Sequence, residues 1–156
     1  MKTRIERVTA RVLPVNVADE VLLLHGWDPA APERPYWFSV GGAREPGEAL
    51  ADAAARELFE ETGISIAPEQ LGEPFAMEAG AEFDWGEFHL VQDETWFAIS
   101  LDANVRVHFR NLEAAEVGTI DRAGWWTPDA LDADGSASSP SLSAMMRLAI
   151  AAVRRR

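Results

Sequence analysis

Glu57, Glu60 and Glu61 stand at i, i+3 and i+4 in a stretch that reads as helix. At about 100° per residue they fall within an arc of about 100°. Ala51, Ala55, Leu58 and Thr62 occupy a different arc and would face a sheet. Like charges at i and i+4 repel by about 0.2–0.5 kcal/mol per pair, and the only basic residue within the helix is Arg56. A hard divalent cation is the natural partner. Oxygen ligands of this kind suit Mg²⁺, with Mn²⁺ as a substitute. The competing reading is a solvated acidic face, ordinary in a chain of net charge −12.

The elements that must position these carboxylates are legible from pattern. The helix is expected from about Glu48 to Thr62, with Glu48 in its first turn, where the helix dipole favours negative charge. Gly63 is a natural stop, because glycine takes the left-handed conformation without penalty. Before the helix, Ile5 to Val15 reads as a strand, Glu20 to His25 as a strand buried on both faces, and Tyr36 to Val40 as a third, ended by Gly41-Gly42. The proline-rich segment from Trp27 to Pro35 reads as loop. After the helix, Gly72 to Phe83 and Glu87 to Ser100 are expected as strands joined at Asp84-Trp85-Gly86, and Leu112 to Glu116 as a loop or helical turn. Ala123 to Trp126 reads as a strand that would send Trp125 and Trp126 to opposite faces. Pro128 to Leu131 starts a small helix, Asp132 to Pro140 has the composition of a flexible linker, and Ser141 to Arg156 is an Ala-rich helix.

The chain has 156 residues, 47% hydrophobic and 26% charged, which suits one domain over residues 1–156. It has no cysteine, so disulfides, thiolate zinc sites and a thiol nucleophile are excluded. The negative charge opposes binding to nucleic-acid polymers and acidic membranes, whose phosphates need basic groups. No run approaches the roughly 18 apolar residues of a membrane span, and the N-terminus lacks the apolar core of a signal peptide, so a cytoplasmic location is expected.

The stretch from Gly42 to Ile64 resembles the signature of the Nudix hydrolase family, G-x5-E-x7-R-E-U-x-E-E-x-G-U with U aliphatic. Gly42, Glu48, Arg56, Glu57, Leu58, Glu60, Glu61, Gly63 and Ile64 fill every specified position. With residues at roughly 6% usage each, a chance match is below about one in a million. The late WWTPDAL segment is similar to those closing many members of the family. The resemblance implies an α/β/α sandwich with a mixed β-sheet, the signature forming a loop–helix–loop. It also implies Mg²⁺-dependent, MutT-like cleavage of a nucleoside diphosphate linked to some group X. Bound Mg²⁺ would neutralise the diphosphate, activate a water and stabilise the leaving oxygen, while one carboxylate removes a proton.

Carried over onto this chain, Glu57, Glu60 and Glu61 match the metal-binding carboxylates, and the Gly41 carbonyl matches a backbone ligand. Glu48 and Arg56 match an ion pair holding loop against helix, within a frame set by Gly42 and Gly63. Family members often recruit the base from a late loop. Glu116 and Glu113 lie there, and Glu94, on the preceding strand, is a third candidate. Where the family often shows Pro-Gly-Gly-Gly, this chain has Val40-Gly41-Gly42-Ala43, which bears on the pose of Gly41.

Of the six tryptophans, Trp27 and Trp37 flank the loop before the signature, where a ring could stack on a base; packing is the competing role. His25, His89 and His108 lack metal-ligand spacing. Markers of several family subclasses are missing: the proline of ADP-ribose hydrolases, the tyrosine of dinucleoside polyphosphate hydrolases, the NADH and coenzyme A segments, and the isomerase cysteine. The resemblance implies a small nucleotide substrate, and a nucleoside or deoxynucleoside triphosphate is the first one expected. The alternative is a non-catalytic nucleotide sensor on the same fold. Exposed tryptophans and the first strand would serve a homodimer.

Overall fold

The computed structural model describes residues 1–156. Its centre is β1 (Thr3–Val15), which pairs in parallel with β6 (Phe88–Ser100) from Thr3↔Phe88 to Val15↔Ser100. On its other side β1 meets β4 (Val40–Ala43) in antiparallel register, Arg11 opposite Gly41, and touches β2 (Val21–Gly26) at Val15↔Val21. β2 also pairs with β3 (Tyr36–Phe38) and β7 (Ile120–Trp126), and β5 (Ala76–Trp85) forms the outer strand beside β6. The sheet is mixed, as expected.

Strand alternation sorts the core into two layers. Ala10, Val12, Leu22, Leu24 and Val40 pack against Ala53, Ala54 and Leu58 of α1 (Leu50–Thr62). Leu13, Val15, Leu23, Trp37 and Trp96 pack against Leu142, Met146, Ala149 and Ile150 of α3 (Leu142–Arg154). β2 is buried on both faces because it feeds both layers. Trp125 joins the α1 side and Trp126 the α3 side, which fulfils the expected divergence. The result is an α/β/α sandwich. No helix is long and apolar enough to cross a membrane.

Several boundaries differ from expectation. The strand expected at Tyr36–Val40 breaks at Ser39: β3 pairs with β2, whereas β4 leaves to join β1 and carries Gly41 and Gly42 inside it. α1 begins at Leu50, so Glu48 lies in the preceding loop. Instead of a strand from Gly72, a 3₁₀ turn at Pro68–Leu71 precedes β5, which starts at Ala76. β7 starts at Ile120. The segment expected as a free linker is tied down: α2 (Pro128–Asp134) occupies its start, and Trp37 donates to the Ser136 carbonyl and accepts from the Ser138 N–H, both at 2.8 Å. Composition cannot register a pairing with a strand so far away in sequence.

Candidate active site

The loop before α1 is shaped by its polar groups. Glu48 accepts the Glu45 backbone N–H at 2.9 Å and receives Arg56 Nε and Nη2, each at 2.9 Å. Arg56 Nη2 also reaches the Ala43 carbonyl at 3.1 Å, stitching loop to helix. Nη1 faces Glu57 at 3.1 Å and Glu60 at 3.2 Å. One guanidinium therefore binds three acids of the motif, first of all Glu48, and this holds the Glu48 carboxyl below its usual range. At the other end, Gly63 has φ 78° and donates to the Phe59 carbonyl at 2.8 Å, closing the helix as expected.

Helical spacing and β4 together aim the carboxylates. Glu61 is fully buried, and its Oε1 accepts the Gly41 N–H at 2.7 Å. Gly42 is needed for close approach: a Cβ there would lie 2.6–2.9 Å from the Glu57 carboxylate. Burial pushes Glu57 up to about 7, helped by Glu60, Glu116 and Glu113 and opposed by Arg56. Burial also raises Glu60, and raises Glu61 well above the carboxylate range, with Glu116 the next cause. Desolvated like charges are costly without a cation.

The late loop closes this cluster. Glu113 brings a carboxylate oxygen within 4.8 Å of those of Glu57 and Glu60. Glu116 lies against Glu61 and leaves Oε1 buried without a hydrogen-bond partner. Three converging carboxylates, hard oxygen donors with unmet charge, fit a divalent metal of the Mg²⁺ or Mn²⁺ kind. The expected ligands Glu57 and Glu60 share this cluster with Glu113, while Glu61 sits beside it, bonded to the Gly41 amide.

Other candidates are engaged elsewhere. Glu94 accepts from Gln92 Nε2 at 2.7 Å and lies 3.3 Å from Arg11 Nε. Trp37 is buried in the α3-side core, edge-on to Trp126 at 5.2 Å and 4.9 Å from the His25 ring. Its ring is packing, not an open stacking platform. Trp27 is half-buried, with its backbone N–H on the Thr119 carbonyl at the root of the late loop. Two residues near the site, Arg7 and Arg11, were not singled out from sequence. Their alternation with apolar residues in β1 reads as an exposed strand face, and only the pairing with β6 brings them to Gln92 and Glu94.

Comparison with known proteins bears on the family and the fold. The NUDIX domain profile matches residues 5–145. A stretch of 69 residues is 44% identical to the uncharacterized Nudix hydrolase YvcI of Bacillus subtilis (strain 168); it takes in 44% of this chain and 39% of that protein. The chain thus matches about two fifths of that relative's length. Among solved structures, a MutT protein from Methanosarcina mazei Go1 superposes with a TM-score of 0.62 at 20% identity, covering 92% of each chain. The Ap4A hydrolase of C. elegans gives 0.59 at 20% identity, over 91% of this chain and 93% of that one. The E. coli dihydroneopterin triphosphate pyrophosphohydrolase gives 0.58 at 23% identity, over 92% and 91%. These structural likenesses concern the fold. With its signature complete from Gly42 to Ile64 and the domain profile spanning most of its length, the chain belongs to the Nudix family.

Proposed function

We propose that this protein is a Mg²⁺-dependent Nudix hydrolase, one domain over residues 1–156, that cleaves a phosphoanhydride bond in a small nucleotide with water. The observation that carries the reading is the convergence of Glu57, Glu60 and Glu113 beside Arg56, with Glu61 and Glu116 against each other next to them. A divalent cation bound there supplies charge neutralisation at the diphosphate and an acidified water. Glu57, Glu60 and Glu113 would hold it, with the Gly41 carbonyl as the family's further ligand. Glu61 fixes the Gly41 amide and so the path of β4 beside the carboxylates that would hold the metal. Glu116 is the favoured general base: its Oε1 is unpartnered, whereas Glu94 is spent on Gln92 and Arg11. Arg56 holds Glu48, Glu57 and Glu60 in a fixed array without contacting substrate.

A nucleoside or deoxynucleoside triphosphate is the first expected substrate. Two of the structural neighbours, an Ap4A hydrolase and a dihydroneopterin triphosphate pyrophosphohydrolase, add Ap4A and dihydroneopterin triphosphate to the test panel. Substrates of this kind fit a cytoplasmic enzyme. The test is release of phosphate and pyrophosphate from triphosphates, nucleotide sugars, ADP-ribose and dinucleoside polyphosphates with Mg²⁺ or Mn²⁺. Turnover lost by at least a hundredfold in Glu60→Gln supports the reading. Full turnover in that variant, or none in the parent, overturns it.

A further inference from the structure

Among the arginines and the one lysine, three are not exposed: Arg7, Arg11 and Arg56. Arg56 is spent on Glu48, Glu57, Glu60 and the Ala43 carbonyl. Arg11 faces Glu94 at 3.3 Å, reaches the Ser39 carbonyl, and lies across Gly41, where a Cβ would meet its Cδ at 2.8 Å. Arg7 alone makes no ion pair. Its Nε donates to Gln92 Oε1 at 2.7 Å, and its two terminal amino groups have no protein partner and remain accessible.

The grip on Nε is well defined. Gln92 is 1% exposed and sits opposite Arg7 in the β1–β6 register. Its Nε2 donates to Glu94 at 2.7 Å, and Glu94 faces Arg11. A flipped amide would set an NH₂ against a guanidinium and an oxygen against a carboxylate, so this chain of contacts determines the orientation. What it leaves over is the outer fork of Arg7, two N–H groups fixed in a plane, the shape that meets an oxyanion bidentately. A half-buried cation without an ion pair is costly. Burial, then Arg11, pushes Arg7 down to about 10, while Glu57, Glu94 and Glu116 sustain its charge from around it. An anion arriving in the complex removes that cost.

We propose that Arg7 is the phosphate-binding cation of this site, its outer fork taking non-bridging oxygens of the substrate's diphosphate, with Gln92 as the positioning residue behind it. The proposal rests on the hydrolase reading of the same cleft and adds the group that recognises the anion there. The basic groups at Arg11 and Arg56 are already engaged, and a carboxylate cluster around a metal needs a counterweight for the remaining phosphate charge.

The experiment is calorimetric binding of imidodiphosphate with Mg²⁺ to the intact chain and to Arg7→Ala, Arg7→Lys and Gln92→Met, beside a Mn²⁺ titration of each. Arg7→Ala should weaken imidodiphosphate tenfold or more and leave Mn²⁺ affinity within twofold. Arg7→Lys, which keeps the charge and loses the fork, should fall between. In turnover assays Arg7→Ala and Gln92→Met should raise KM at least fivefold with kcat within threefold. Imidodiphosphate affinity within twofold of the parent in both Arg7 variants overturns the proposal, as does equal loss of Mn²⁺, or failure of the parent to bind the probe. Arg7-dependent binding without turnover of any nucleotide would leave the phosphate site standing and remove the hydrolase reading. Turnover indifferent to Arg7 would do the reverse.

Discussion

Arg56 and Glu48 are joined by two hydrogen bonds of 2.9 Å, one from Nε and one from Nη2, across the junction between the signature loop and α1. The planar fork matches the carboxylate, and the third nitrogen is left to separate Glu57 from Glu60. Structural and electrostatic roles thus meet in one side chain.

Replacing Arg56 by alanine removes the bidentate pair and the only cation within reach of three acids. The expected loss is about 2–4 kcal/mol in urea unfolding. Because a divalent metal substitutes for the missing charge, Mg²⁺ should recover more stability in Arg56→Ala than in the parent. Arg56→Lys should restore the charge without the fork and fall between the two. Equal Mg²⁺ effects in parent and variant would refute the account.

Glu57 makes the metal-free protein sensitive to pH in a direction opposite to that of a salt-bridged acid. Burial raises its carboxyl from 4.5 to about 7, so between those values the native state keeps a proton that the unfolded chain has shed. Stability must therefore fall as pH rises through that window and level off above it, by about 3 kcal/mol for this group taken alone. Unfolding midpoints in chelator from pH 4.5 to 8 test this. Glu57→Gln should flatten the profile, and Mg²⁺ should offset the fall by stabilising the ionised form.

Gly42→Ala separates catalysis from folding. The added methyl would lie 2.6–2.9 Å from the Glu57 carboxylate, the free end of a flexible side chain, so the carboxylate moves and the strand stays. Turnover is expected to drop at least tenfold while the thermal midpoint changes by only a few degrees. A variant with the parent's kcat would show that the pose of Glu57 is unimportant.

Gly63→Ala should instead act on stability. Its φ of 78° disfavours any side chain, by about 1–2 kcal/mol. A Cβ there would also collide with the His108 imidazole. Pairing it with His108→Ala should recover the steric part and leave the backbone part. Full recovery in the double variant would mean that backbone conformation costs nothing here.

The signature, the helix and the two-faced burial of β2 could be read from the residues in order, because each depends on neighbours within a few positions. Helical spacing stacks Glu57, Glu60 and Glu61, and a glycine closes the turn that follows. The apolar run of β2 announces a strand covered on both faces. Even so, the start of α1 lay two residues later than expected, since Glu48 is used as an acceptor for Arg56 and Glu45 before the helix begins.

What depended on the tertiary structure is everything that joins distant segments. The break at Ser39 arises because β3 and β4 choose different partners, and the supposed linker is held by Trp37. Glu113 reaches the glutamate cluster from a late loop, and Glu116 reaches Glu61, through chain closure alone. Glu94, named for its type and position, is engaged by Arg11 and Gln92, and Arg7, not singled out from sequence, stands beside it. A local pattern encodes its own geometry through bond angles and side-chain period. The meeting of β1 with β6, more than eighty residues away, follows from burying two faces of one sheet, and no short stretch of sequence contains that information.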